Sequence, residues 1–239
     1  MISVSHLTKT YGDFKAVDDL SFEIGAGEIV GLIGPNGAGK TSTLRCIVGI
    51  QAPSTGAITV AGHDIVRSPV EAKREMAFMA DEPQLFEYLT VLEHLRLTGR
   101  LYQVRDVEAR AKTLLAELQL TGKENALPAE LSRGMKQKVA IACGLLHEPR
   151  ALLFDEPLTG LDPLGIRQMK ETIVLRGKSG AAIIVSSHIL HLVEEICTRI
   201  VIIDRGMKVA DGTLAELRSQ SETGSNLEQI FLKVTTRES

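Results

Sequence analysis

A glycine-rich segment near the start of the chain has the residue types and spacing of a polyphosphate-binding loop. It fits the pattern G-x-x-x-x-G-K-[ST] and precedes a helical run at 42–48. Glycines let successive backbone N–H groups face phosphate oxygens, and the following helix adds its positive dipole end. We expect Lys40 to neutralise the β- and γ-phosphates of ATP and the Thr41 hydroxyl to bind Mg²⁺. The residues assigned to ATP binding here are Gly34, Pro35, Asn36, Gly37, Ala38, Gly39, Lys40, Thr41 and Ser42.

Two acids and a histidine follow other apolar runs and could hydrolyse the bound phosphate. The run 152–154 ends in Asp155 and Glu156, and the run 183–187 ends at His188. Asp155 is predicted to hold Mg²⁺ through water, and Glu156 to orient and polarise the water that attacks the γ-phosphate. The His188 ring could hydrogen-bond that phosphate and hold Glu156 in register. Taken singly, adjacent acids are often only solvated, and a histidine at a strand end is often a surface or capping residue.

These groups need a sheet that brings several strand ends to one edge. Short β-branched runs alternate with longer helical patterns, which is typical of a parallel sheet covered on both faces. The clearest predicted strands are 21–24, 28–33, 151–154, 181–186 and 200–204. Ligands bind at the carboxyl edge of such sheets, so the candidate residues are expected to meet there.

A helical segment interrupts this pattern. Between residues 81 and 149 the β signal vanishes, and apolar residues recur at helical spacing over 107–118. We predict a cassette over 1–218, with an α/β core of 1–80 and 150–218 and a helical lobe of 81–149. A short strand at 208–210 and a helix at 213–219 are predicted next. A linker and tail over 219–239 end the chain, with an apolar piece at 227–234 that could dock back.

Composition narrows the possible functions. A chain of 239 residues with 44% hydrophobic content can bury one substantial core. The net charge of −3 argues against broad binding to nucleic acid or anionic lipid, so no nucleic-acid partner is expected. No apolar run approaches the roughly 20 residues of a membrane span, and no signal peptide is visible. The cysteines, Cys46, Cys143 and Cys197, lack metal or redox spacing and are predicted to be buried reduced thiols.

Together the motifs resemble the nucleotide-binding subunits of ABC transporters, over residues 2–217. The segment 131–137, LSRGMKQ, is similar to that family's signature loop and precedes a predicted helix at 137–146. The resemblance implies an α/β P-loop fold with a mainly parallel sheet, an N-terminal antiparallel β portion and an inserted α-helical lobe. It also implies that Ser132 and Gly134 contact ATP held by a second subunit. In the family, two ATP molecules join such subunits in a head-to-tail dimer.

Further residues acquire expected roles through this resemblance. Asp162, in the segment 160–162, resembles the loop that crosses the dimer interface, and Tyr11 resembles the aromatic residue that stacks on adenine. The signature segment departs from the family pattern at Arg133 and Met135, where Gly and Gln are common. Asp81 stands where the family usually has a Gln that reaches Mg²⁺ and the attacking water. A carboxylate could serve the metal through water, but it is shorter and negatively charged, so the role of Asp81 stays open.

The resemblance implies an ATPase that powers a separate integral-membrane permease from the cytoplasmic face of the membrane, paired with an identical or related chain. Segment 85–90 offers apolar side chains where the family receives a permease helix, but lobe packing explains them equally well. The tail 226–232 resembles those of bacterial ABC-2 type exporters and favours export. The alternatives are a soluble regulatory ATPase and a translation or repair ATPase. Ribosomal members generally join two cassettes, and repair members insert a coiled coil, for which residues 40–132 lack sustained heptads.

Overall fold

The chain folds into two β-sheets and a set of helices. The computed structural model describes residues 1–159, 161–219 and 226–235. The strands are β1 (Ile2–Tyr11), β2 (Phe14–Ile24), β3 (Ile29–Ile33), β4 (Thr55–Val60), β5 (His63–Asp64), β6 (Met76–Met79), β7 (Ala151–Asp155), β8 (Ala182–Ser186), β9 (Arg199–Asp204) and β10 (Met207–Gly212). The helices are α1 (Lys40–Ile47), α2 (Pro69–Arg74), α3 (Val91–Leu101), α4 (Val107–Glu117), α5 (Arg133–Leu145), α6 (Pro163–Lys178), α7 (Leu190–Ile196), α8 (Leu214–Ser219) and α9 (Leu227–Thr235), and Pro128–Glu130 forms a 3₁₀ turn.

The larger sheet positions the candidate site. Its strand order is β10-β9-β3-β8-β7-β6, and all its pairs are parallel except β10 with β9. Every residue of β3, β7 and β8 is buried, as expected for strands covered on both faces. Because β3, β8 and β7 are successive neighbours, the loops that follow them leave the same edge of the sheet.

The smaller sheet is antiparallel and has the order β2-β1-β4-β5. The sequence analysis predicts only its segment 21–24, the end of β2, and misses β1 and β4. Three register shifts between β1 and β2, starting between Val4 and Leu7, interrupt the alternation of buried and exposed residues. Such bulges weaken the period-two pattern by which a half-buried strand is predicted.

Residues 81–149 are helical wherever they form regular structure. Helix α3 begins with a capping box, in which the Thr90 side chain accepts from Glu93 N and the Glu93 side chain accepts from Thr90 N. The buried side chains of α3, α4 and α5 join one apolar cluster that continues to Phe154 of β7 and Val185 of β8. The α/β fold with an antiparallel portion and an inserted helical lobe is therefore present, while the residue limits of the domains stay a prediction.

The last helices pack onto the sheet. The predicted strand at 208–210 lies within β10, and the predicted helix at 213–219 is α8. Most of the predicted linker, 220–225, lies outside the described residues, as do 236–239. The apolar piece at 227–234 forms α9, whose Leu227 and Ile230 are buried with Val193 of α7. None of the helices in the described ranges is long and apolar enough to cross a membrane.

The three cysteines are unpaired, as predicted. Cys46 is buried, whereas Cys143 and Cys197 are only partly buried. Burial raises the pKa of Cys143 to about 11 and that of Cys197 to about 12. Near neutral pH these groups therefore stay protonated, and protonated thiols are poor nucleophiles.

Candidate active site

The glycine-rich loop between β3 and α1 adopts a backbone that requires glycine. Gly37 and Gly39 have φ of 81° and 102°. A Cβ atom on Gly39 would lie 2.3 Å from the carbonyl oxygen of Ala16, and one on Gly34 would lie 2.3 Å from that of Ile203. The loop therefore packs against both sheets, with no room for a methyl group at Gly34 or Gly39. Helix α1 begins at Lys40 instead of the predicted position 42, so its amino end borders the loop directly.

Lys40 lies inside this loop and is 8% exposed. Its Nζ donates to the carbonyl oxygens of Gly34 and Pro35 at 2.6 and 3.1 Å. Burial lowers the pKa of Lys40, and the charges of Glu156 and Asp155 oppose that change. A polyphosphate in the loop would further stabilise the charged amine, in exchange for its carbonyl contacts.

Asp155, at the end of β7, is buried next to α1. Its Oδ1 accepts a hydrogen bond from Ser186 Oγ at 2.6 Å and lies 3.5 Å from Thr41 Oγ1. One hydroxyl and one carboxylate side by side suit Mg²⁺, which keeps several waters and binds substrate phosphates. Among the described residues, no group of three or more His, Cys, Asp or Glu side chains could hold a metal ion.

Glu156 and His188 form the other half of this constellation. Glu156 Oε2 lies 2.9 Å from His188 Nδ1 and 3.4 Å from His188 N. The backbone of Glu156 has φ of 49°, in the left-handed region that side-chain-bearing residues rarely adopt. Strained backbone of this kind clusters at functional sites. The structure thus brings Lys40, Asp155, Glu156 and His188 to the predicted edge of the sheet.

Ser186 is a site residue that the sequence analysis does not single out. It is fully buried at the end of β8, opposite Asp155 in the β7–β8 register. Besides its bond to the Asp155 carboxylate, its Oγ accepts a hydrogen bond from Glu156 N at 3.2 Å. A serine that ends the apolar run 182–185, two residues before the candidate histidine, is the available sequence signal.

Tyr11 lies at the end of β1 and is 42% exposed. Its hydroxyl donates to Gln51 Oε1 and to Ser42 Oγ, the latter at 3.4 Å. The Lys9 ammonium lies 5.1 Å from the Tyr11 ring centroid, close enough for a cation–π contact. The Tyr11 ring, which is predicted to stack on adenine, therefore contacts α1 through its hydroxyl. Its contacts with Gln51 and Lys9 are not predicted by the motifs.

The signature segment forms the first turn of α5. The helix begins at Arg133, not at the predicted residue 137, because Ser132 is its N-cap and accepts a hydrogen bond from Met135 N at 3.3 Å. A Cβ atom on Gly134 would lie 3.3 Å from Leu161 Cδ2, so this turn packs beside the segment predicted to cross a dimer interface. Among the described hydrogen bonds, none joins Ser132 to the loop 34–42 of the same chain.

Asp162 and Asp81 have local partners. Asp162 caps α6 by accepting a hydrogen bond from Gly165 N at 2.7 Å. Gly160, from the same predicted segment, lies outside the described residues. Asp81 Oδ1 lies 3.4 Å from Nη2 of Arg133. The structure therefore places Asp81 in an ion pair and describes no contact between it and Thr41 or Asp155.

Comparison with known proteins identifies the family. Residues 17–159 match the family model of the ABC transporter. The ABC-type transporter ATP-binding protein EcsA of Bacillus subtilis (strain 168) is 37% identical over 238 residues, which cover 98% of this chain and 96% of that protein. The Nod factor export ATP-binding protein I of Paraburkholderia xenovorans (strain LB400) is 37% identical over 235 residues, which cover 96% of this chain and 76% of that protein.

A solved structure extends the likeness to three dimensions. A dimeric ATP-binding cassette in a post-hydrolysis state, bound to ADP and Pi, is similar with a TM-score of 0.82 and 25% identity, covering 90% of this chain and 99% of that one. The predicted α/β P-loop fold is confirmed by this likeness. The chain therefore belongs to the ABC transporter family, as an ATP-binding subunit that hydrolyses ATP.

Proposed function

We propose that this subunit powers export through a separate integral-membrane permease, from the cytoplasmic face of the membrane, by closing a head-to-tail dimer on ATP. The observation that carries the catalytic part is the 2.9 Å contact between Glu156 and His188, beside the buried Asp155 and the glycine-rich loop. In the proposed site, this carboxylate would lie beside the γ-phosphate of a triphosphate bound in the loop.

In this mechanism the residues of the loop bind and those of β7 and β8 activate water. Lys40 exchanges its carbonyl contacts for β- and γ-phosphate oxygens. Glu156 accepts a hydrogen bond from the attacking water and polarises it, while His188 holds the Glu156 carboxylate in place. Water adds to the γ-phosphorus as the bond to the β-phosphate oxygen breaks, giving ADP and phosphate. Mg²⁺, which Thr41 would bind directly and Asp155 through water, would neutralise charge on the β- and γ-phosphates.

The position of the signature turn supports the proposed dimer. Ser132 and Gly134 lie at the amino end of α5, where free N–H groups and the helix dipole favour an anion. Among the described residues, Ser132 makes no hydrogen bond to the loop 34–42 of its own chain, which agrees with its use by the ATP of a partner chain, with Asp162 near the proposed interface. The dimeric state of the similar ADP-bound cassette agrees with this arrangement.

A permease helix is proposed to bind beside the loop after β6. A cavity of about 440 Å³ opens there, and its lining includes Phe86, His94, Tyr102 and His147. Phe86 and Tyr88 are 62% and 89% exposed, which disfavours the alternative that segment 85–90 serves only lobe packing. Export is supported by the tail sequence and by the name of the Nod factor relative. Copurification of a multi-spanning membrane protein with this chain separates the proposal from an ABC-type regulatory, translation or repair ATPase without a permease.

The substitution Glu156→Gln tests the catalytic and dimer proposals together. The amide keeps the shape of the side chain but cannot polarise water, so ATP binding should persist while hydrolysis stalls. We expect the variant to elute as a dimer in gel filtration with Mg·ATP and as a monomer without nucleotide. Glu171→Gln, on the exposed face of α6, serves as the control and should hydrolyse ATP like the wild type. A Glu156→Gln variant that binds ATP yet stays monomeric at saturation would contradict the dimer.

A further inference from the structure

Two of the three positions at which this sequence departs from the family pattern, Asp81 and Arg133, contact each other. Asp81 follows β6, and Arg133 is the first residue of α5. The contact, 3.4 Å between Asp81 Oδ1 and Arg133 Nη2, joins the loop that leaves the sheet to the turn that carries Ser132. The ion pair therefore connects the loop that leaves the catalytic sheet to the turn that is proposed to contact the ATP of a partner chain.

The loop that carries Asp81 starts beside the acids of β7. Strands β6 and β7 are parallel, with Met79 paired to Phe154, so the chain leaves β6 next to Asp155. A second contact holds the same loop, because Gln137 Nε2 lies 3.4 Å from the carbonyl oxygen of Ala80. Gln137 is buried in α5. Two successive residues after β6 are thus held by the first two turns of α5.

The other side of the same turn faces the loop after β7, through the close approach of Gly134 and Leu161. The amino end of α5 is therefore positioned by segments that leave β6 and β7. Both side chains are partly exposed, so this ion pair lies at the surface and not in the packed core.

We infer that Asp81 and Arg133 are positioning residues whose ion pair sets the amino end of α5 relative to the catalytic end of β7. The inference rests on the proposed function, because it links the seating of a partner's ATP on Ser132 to hydrolysis at Glu156. It gives Asp81 a role through Arg133 in place of a role as a metal ligand.

The pair should have a modest effect. The side chains of Arg133 and Asp81 are 54% and 44% exposed, and exposed ion pairs contribute little and are screened by salt. We expect kcat to fall about 2- to 5-fold when either charge is removed, because exposed ion pairs contribute only a small free energy. The KM for ATP should hardly change, since neither side chain contacts the loop 34–42 in this structure.

A charge exchange tests the inference. Asp81→Arg and Arg133→Asp should each lower kcat, and the double variant D81R/R133D should restore it, because the opposite charges again face each other. If Asp81 instead served the metal, the exchange could not restore activity. The neutral variants D81N, R133Q and D81N/R133Q provide a second cycle in case a reversed charge impairs folding. The kcat of D81N/R133Q should be reduced by less than the combined effects of D81N and R133Q. The thermal midpoints of all three variants should stay at the wild-type value.

The matched control is the pair formed by Arg96 and Glu108, which is similarly exposed, lies 2.7 Å apart and joins α3 to α4 in the same lobe. The exchange R96E/E108R should leave kcat unchanged. The proposed function itself would be refuted if the wild type did not hydrolyse ATP and the Glu156→Gln variant did not dimerise with ATP. Other outcomes would overturn only the inference about the Asp81–Arg133 pair, provided that the wild type hydrolyses ATP and Glu156→Gln dimerises. These outcomes are additive losses of kcat in D81N and R133Q, a D81R/R133D variant that does not regain kcat, or variants that lose only thermal stability.

Discussion

Buried polar atoms converge where β7 and β8 end. Ser186 hydrogen-bonds the Asp155 carboxylate through its Oγ, which also accepts from the backbone N–H of Glu156. A buried carboxylate without such partners would carry a large desolvation penalty. Ser186 therefore holds the Asp155 carboxylate and the backbone of Glu156 at once, while the Glu156 carboxylate contacts His188.

His147 allows a test at the residue scale, away from the catalytic edge. Its ring stacks on Tyr102 with centroids 3.8 Å apart, and its Nε2 lies 3.2 Å from the carbonyl oxygen of Met76. Burial lowers the pKa of His147, so the folded state favours the neutral ring. Its contribution to stability is complete above the unfolded-state pKa of about 6.5 and is lost as pH falls toward the lower folded-state pKa.

We expect the thermal midpoint of the wild type to fall more between pH 7.5 and pH 5.5 (about one unit on either side of that reference pKa) than that of His147→Gln. Glutamine can still donate to Met76 but cannot be protonated. Thermal unfolding followed by circular dichroism at both pH values measures the difference. His191→Gln, at an exposed position of α7, should respond to pH like the wild type. Equal losses in the wild type and His147→Gln would show that this ring does not govern the acid response.

Sequence alone predicts the residues of the candidate site at one edge because Asp155, Glu156 and His188 stand at the ends of apolar runs, Lys40 belongs to the glycine-rich loop that follows another such run, and parallel strands end together. Ser186 and the Asp81–Arg133 pair are different. Their partners are set by strand pairing and by the packing of α5, between residues far apart in sequence. Residue type and local spacing carry no information on such contacts.

At the scale of elements, capping and register decide where prediction fails. Helix α5 starts at Arg133 because the hydroxyl of the N-cap Ser132 accepts from the first turn, although the apolar pattern becomes clear only later. Strand β6 has the sequence MAFM, without β-branched residues, and forms because β7 offers a parallel neighbour. The clearer strands β3, β7 and β8 are nearly continuous apolar runs and are predicted to within a residue.

Helix α9 provides a prediction at this scale. Ile230 is 2% exposed and packs with Val193 of α7, which follows the His188 loop. Ile230→Ala should lower the free energy of unfolding by about 2 kcal/mol, near the lower end for buried Ile-to-Ala changes, because α9 lies at the periphery. Urea unfolding measures the loss. Glu228→Gln, at an exposed position of the same helix, should cost less than about 0.5 kcal/mol. Similar values for the two variants would mean that α9 does not dock as described.

For the whole molecule, the proposed head-to-tail dimer divides each active site between two chains. One chain would supply Lys40, Asp155 and Glu156, and the other would supply Ser132. A substitution in one of these two groups of residues leaves the other group of the same chain intact. Two inactive variants with different defects can therefore assemble one complete site between them.

Mixing Lys40→Ala with Ser132→Arg tests this division. Each variant alone should hydrolyse little ATP, since Lys40→Ala loses phosphate binding and the arginine blocks the signature turn. In the mixed dimer, Lys40 of one chain and Ser132 of the other form an undamaged site, so activity should reappear on mixing. Phosphate release measured across mixing ratios should peak at an intermediate ratio. A flat response, with both variants folded, would contradict a shared site.

One turn of α1 links the two ends of the proposed nucleotide pocket. Ser42 contacts the Tyr11 hydroxyl, and Lys40 and Thr41 precede it in the same turn. The span from base to phosphate is therefore fixed by a single rigid helix, whereas Ser132 belongs to the inserted lobe and to another chain. A movement between lobes or chains would change the surroundings of the terminal phosphate and leave the adenosine end undisturbed. After hydrolysis and release of phosphate, ADP would keep its base contacts. Opening of the dimer and release of ADP are therefore expected to be separate steps.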